Sequence, residues 1–166
     1  GRVPAQYFPA AGGRRVFLLR TDGHLGVANT AAFAACGISD NAEDPPFGRF
    51  DRHPATNRFT GLLRETATHI FLTEIHAGDT EAEIAGGLRR VFADWNRYGI
   101  TSVYNSLAGR RAIRAYQMLE AEGGMTMRAG IIVSGREEGL VESFVAAGIR
   151  SGFGSDWVRV IGVEWC

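Results

Sequence analysis

From residue 80 to the C-terminus the chain alternates helix and strand three times, and this alternation restricts the fold more than any other feature. Thr80 and Glu83 stand at the S/T-x-x-E spacing of a capping box. Ile84, Leu88, Val91, Phe92, Trp95 and Tyr98 recur at helical intervals, so residues 80–98 read as one helix that stops at Gly99. Residues 112–122, with Ile113, Tyr116 and Leu119 on one face, and residues 137–147, with Leu140, Val141, Phe144 and Val145, read as two more. Between and after them, residues 100–104, 127–133 and 158–165 are short runs rich in β-branched and aromatic residues, the composition of strands. Such alternation predicts βαβ units and a parallel sheet, an α/β fold. Its chemistry belongs at the C-terminal strand ends: Asn105-Ser106, Ser134-Gly135 and Glu164.

The first 78 residues read differently. Residues 16–20 form a short apolar strand followed by the loop Thr21-Asp22-Gly23-His24. Asn29 or Thr30 can cap a small helix over residues 31–36, and Gly37 can end it. Residues 41–59, rich in Asp, Pro, Asn and Arg, lack a helical period and read as an ordered excursion with a hairpin. Residues 62–71 read as a second short helix.

Composition removes several function classes. The formal net charge is zero, which favours neither nucleic acid nor an anionic membrane surface as partner. All 18 basic residues are arginine, so no lysine is present for a Schiff base, a P-loop or a carbamylated metal bridge. Cys36 and Cys166 are far apart and form no CxxC, which excludes a zinc ribbon or thioredoxin-type motif and leaves a reduced, cytoplasmic setting as the default. No 18-residue apolar run and no signal-like N-terminus occur. The abrupt start at Gly1, and a last strand with no helix after it, read as the ends of an internal fragment.

Few residues stand out as chemistry. Asp22-Gly23-His24 follows a strand, and its glycine permits a tight turn that could aim two polar groups into a cleft; an Asx-type turn with a satisfied histidine fits the same spacing. His53, His69 and His76 are scattered, and no HxH, HExxH or HxxxH pair exists, so they read as surface or packing residues and no complete metal or catalytic site is expected. Glu65 reads as part of a solvated helix face. Glu164 is different: it lies in an apolar strand, Val160 to Trp165, where a charge is costly unless paired, metal-bound or at an exposed end. The run Gly152-Phe153-Gly154-Ser155-Asp156 precedes a strand, whereas a phosphate cradle follows one and opens a helix.

Taken in order, VFLLRTDGHLGVANTAAFAACGI, DPPFGRFDR, TGLLRETA, YGITSVYN and GSDWVRVIGVEW resemble the amidohydrolase family 3 branch of the amidohydrolase superfamily, which includes N-substituted formamide deformylase-like enzymes. The resemblance implies part of a TIM-type (β/α)8 barrel. Residues 1–78 would be an elaboration between barrel strands one and two, and residues 79–166 would carry strands two to four. It implies hydrolysis of a non-peptide, amide-like C–N bond in a small molecule by water activated on one or two divalent metal ions, zinc by expectation. It also implies that Asp22 and His24 line the substrate cleft, and that Glu164 occupies the strand-four ligand position where many relatives carry lysine. Asn29 and Glu65 would hold the elaboration together. Phe47 stands where the family's loop commonly has glycine, and Thr56-Asn57-Arg58-Phe59 replaces a Pro-Thr approach. A partial barrel would expose sheet edges, which invites a homo-oligomer.

A reading from another class is a non-catalytic α/β binding domain derived from the same barrel, which the missing HxH and lysine would suit. A Rossmann-like nucleotide binder would need a glycine-rich strand-to-helix turn that this sequence lacks.

Overall fold

The computed structural model describes residues 11–165, so the Cys166 and Gly1 ends lie outside the described residues. The chain divides into two compact units, Gly1–Gly78 and Asp79–Cys166.

The first unit is built on a four-stranded antiparallel sheet in the order β1-β2-β4-β3. Its strands are β1 (Phe17–Leu19), β2 (Leu25–Ala28), β3 (Gly48–Arg52) and β4 (Phe59–Glu65), with α1 (Thr30–Ala35) after β2 and α2 (Thr66–Ile75) after β4. Asn29 is the cap of α1: its side chain accepts from the Ala32 amide at 3.0 Å, and it also accepts from Val16 N and donates to Arg14 O. One buried amide therefore ties the approach to β1 to the start of the helix. Phe33, Phe50, Phe59, Leu63 and Phe71 form the core, with Phe33 stacked on Phe59 at 4.9 Å between centroids.

Two expectations change here. Residues 62–71 are not one helix; β4 runs to Glu65 and α2 begins at Thr66. Phe59, Gly61 and Leu63 alternate inward along β4, the period-two signature of a strand buried on one face. The run Leu25–Ala28, to which the sequence pattern assigns no element, is a strand paired with both β1 and β4. The hairpin expected within residues 41–59 exists, but its second strand starts only at Phe59.

The second unit follows the expected alternation: α3 (Glu81–Asn96), β5 (Ser102–Ala108), α4 (Arg110–Ala121), β6 (Arg128–Ser134), α5 (Leu140–Ala146) and β7 (Val158–Glu164). The capping box at Thr80 and Glu83 is formed in both directions. The strands pair in parallel in the order β5-β6-β7. Ala129, Ile131 and Val133 of β6 pack with Phe92 of α3, Tyr116 and Leu119 of α4, and Leu140 of α5 in one core. The α/β class is thus present in this unit. β5 runs four residues beyond the expected strand end at Tyr104, through a bulge at which Leu107 takes φ +54°.

Candidate functional site

Chemistry-bearing side chains gather in one place within each unit. In the second unit the decisive question is which face of the sheet each residue occupies. Val133 belongs to the helix-covered core, so Ser134, its neighbour along β6, points to the opposite face. Glu164 is the register partner of Ser134, at the last position of β7, and shares that face. Ser106 of β5 reaches it across β6: the Ser106 hydroxyl donates to Glu164 Oε2. The bulge at Leu107 falls next to Ser106. The strand-four candidate therefore lies half-buried at the C-terminal end of a parallel sheet, on the helix-free face, with a hydroxyl partner. Ser106 was legible only as a strand-end residue; its partner lies 58 positions away in sequence.

A groove of about 700 Å³ lies on the same unit, lined by Ser102, Tyr104, Arg128, Gly130, Trp157 and Arg159 among others. Ser102 and Arg128 begin their strands and Trp157 precedes β7, so the groove sits at the strand starts. Parallel α/β folds place their chemistry at the other end, where Glu164 is.

In the first unit the turn Asp22-Gly23-His24 is held from three sides. Asp22 Oδ1 accepts from the His24 amide at 3.1 Å, the expected Asx-type turn, and Arg20 pairs with Asp22 at 3.3 Å. Gly23 has φ +79°, a conformation open to glycine at low cost. His24 Nδ1 meets Glu65 Oε2 at 2.7 Å. The backbone joins the same two residues, since Glu65 N donates to His24 O at 2.8 Å. Beneath them Thr68 is fully buried, and its hydroxyl donates to Glu65 O at 2.7 Å with a longer contact to Gly23 O at 3.2 Å. The carboxylate of Glu65, then that of Asp22, holds the His24 pKa above its ordinary value, with partial burial and Arg20 opposing. A paired imidazole of this kind leaves Nε2 to act on a ligand and fixes which ring nitrogen carries the proton when neutral.

Glu65 is exposed, but it is thus not part of a helix face. It ends β4 at φ +52°, ψ −128°, a costly backbone state for a residue with a side chain. The sequence singles out Glu65 but not its partner, because no local pattern marks a strand-to-helix junction that bonds 41 positions back. Further along β4, Asp51 of β3 accepts two hydrogen bonds from Arg64 and one from Arg49, each at 2.8 Å. These guanidinium groups, Arg64 foremost, hold its carboxyl below the usual range against the opposing effect of burial.

Among the described residues no group of three or more His, Cys, Asp or Glu side chains could hold a metal ion. His53 accepts from the Ala55 amide in the β3–β4 turn, as a structural residue would. Also among the described residues, no helix is long and apolar enough to cross a membrane.

Two solved structures show this fold. One is an uncharacterized metal-dependent hydrolase from Pyrococcus horikoshii OT3, 21% identical, matched over 93% of this chain at a TM-score of 0.64. The other is an uncharacterized metal-dependent hydrolase from Pyrococcus furiosus, also 21% identical, matched over 90% at a TM-score of 0.59. The chain spans only 29% of the length of either. No protein of curated function matches the sequence. The sequence pattern of the amidohydrolase family matches residues 2–164, essentially end to end, and the chain belongs to that family.

Proposed function

We propose that this chain is part of a metal-dependent hydrolase that cleaves a non-peptide, amide-like C–N bond in a small molecule. In this reading residues 79–166 are consecutive βα units of a (β/α)8 barrel, and residues 1–78 are an elaboration whose Asp22 and His24 contact substrate. The observation that carries the reading is Glu164, a carboxylate at the C-terminal end of β7 on the helix-free face, bonded to Ser106. A carboxylate there can offer oxygen to a divalent ion such as zinc without prior carbamylation. A divalent ion polarises a carbonyl and lowers the pKa of bound water. The described residues fit only part of such a centre, since no three-ligand group is present among them. The reaction therefore belongs to the whole protein. Membership of the amidohydrolase family and the fold shared with two metal-dependent hydrolases support the reading.

The test is metal content and turnover in the full-length protein. Glu164→Gln should retain the fold, lose bound metal and lose hydrolysis together. Glu164→Lys should regain metal when bicarbonate is supplied, because a carbamylated lysine restores an anionic ligand. Full metal content and full rate in Glu164→Gln would remove Glu164 from the site. A full-length protein that binds no divalent metal would leave the non-catalytic binding domain as the better account.

A further inference from the structure

The first unit holds two bulky residues at positive φ on either side of one strand pair. Gly48 of β3 is the register partner of Glu65 of β4, and Phe47 immediately precedes Gly48. Phe47 has φ +59° and Glu65 has φ +52°. Neither conformation suits a residue with a Cβ, and strain of this kind persists where the surroundings hold it, commonly at binding sites. The surroundings do hold it. Thr66 Oγ1 donates to Pro46 O at 2.5 Å, and a Cβ at Gly48 would collide with Thr66 Oγ1 and the Ala67 amide. Packing therefore demands glycine at position 48 but not a side chain at position 47. Phe47 buries nothing in return: it is 92% exposed. A large apolar ring displayed to solvent on a strained backbone, next to the register partner of Glu65, contributes nothing evident to the fold. The same strand end carries the His24–Glu65 pair at 2.7 Å, with His24 Nε2 not engaged by the carboxylate. Three stretches far apart in sequence, Asp22 to His24, Pro45 to Gly48 and Arg64 to Thr66, thus meet at one end of one sheet.

We propose that Phe47 and the His24–Glu65 pair form a binding site for a small molecule that carries a hydrogen-bonding oxygen beside an apolar, ring-sized group. The oxygen belongs to an amide or to a carboxylate. The amide form rests on the hydrolase reading above; the site itself does not. His24 Nε2 bonds the polar end and Phe47 receives the ring. Glu65 acts as a positioning residue that fixes the imidazole, and its strained backbone places its carboxylate for that purpose.

The experiment is an NMR titration of the His24 ring signals in this chain, in metal-free buffer, with phenylacetamide, phenylacetate and acetamide. Either ring probe should shift His24 saturably, and acetamide should bind about ten-fold more weakly for want of the ring. The two oxygen sources separate by pH. A carboxylate needs the protonated imidazole, so phenylacetate binding should fade as His24 deprotonates. An amide offers both an acceptor and a donor and should bind across that range. The charges that set His24 are Glu65, Asp22 and Arg20. Phe47→Gly should keep or raise Tm, because the backbone strain is relieved, while abolishing the preference for ring probes. Glu65→Gly should likewise keep or raise Tm and weaken binding by about three- to ten-fold, the loss of one hydrogen-bonded partner. No His24 shift with either ring probe overturns the proposal. So does a Phe47→Gly variant that melts lower and binds as before, since that is the behaviour of a structural residue. Binding is read without metal, so failure here leaves the Glu164 test intact, and failure there leaves this one intact.

Discussion

His24 and Glu65 form an ion pair that is open to solvent on both sides, with side-chain exposures of 67% and 55%, so salt and water screen it. Its effect should appear as a pH dependence rather than as a large stability term. The folded-state pKa of His24 is raised above the ordinary 6.5, so the stability this pair contributes is fully present below that value and is lost as pH rises through the folded pKa. Glu65→Gln keeps the strained backbone and removes the charge. The gap in urea midpoint between the wild-type chain and Glu65→Gln should be widest near the lower end of that range and close as His24 deprotonates. The His24 pKa, followed by NMR, should fall back toward 6.5 in the variant. A gap independent of pH would mean that Glu65 acts through something other than His24.

The elements divide into those whose determinants are local and those whose determinants are not. α3 is of the first kind. The Thr80 hydroxyl accepts from Glu83 N at 3.2 Å, the Glu83 carboxylate accepts from Thr80 N at 2.8 Å, and both partners lie within four residues. Thr80→Ala should cost about 1 kcal/mol of stability by denaturant titration, and the Glu83 carboxyl should rise only partway toward its usual range, because the Thr80 backbone amide, the chief cause of its lowering, remains and only the hydroxyl bond is lost. β4 is of the second kind. Leu62 and Leu63 adjacent, followed by Thr66 to Phe71, suggested a helix; the strand exists because β2 and β3 supply hydrogen bonds on both edges. β2 is four residues long and contains a glycine, too little pattern to read without its neighbours. β5 outran its expected end because the bulge at Leu107 lets the ladder resume at Ala108 opposite Val133. A bulge is set by the partner strand and leaves no clear trace in composition.

For the whole molecule, the central fact is that the chain spans 29% of the length of either solved relative. With no three-ligand group among the described residues, the isolated 166-residue chain, given zinc, should hydrolyse simple amides no faster than buffer. Metal-dependent turnover by this chain alone would show that the site lies elsewhere in it. The α/β class, the order of helices and strands after residue 80 and the oddity of a charge at Glu164 in an apolar strand were all legible in the residues, because periodicity, capping and desolvation act over a few positions. Three things were not: that Ser106 is the partner of Glu164, that Glu65 is the partner of His24, and that Gly48, next to Phe47, is the register partner of Glu65. Those pairings join residues 58, 41 and 17 positions apart, and strand register brings them together. Register is a cooperative property of whole sheets, in which a slip of one residue sends every side chain to the other face. No single segment carries that information, so only the folded sheet could decide which of the candidate residues meet.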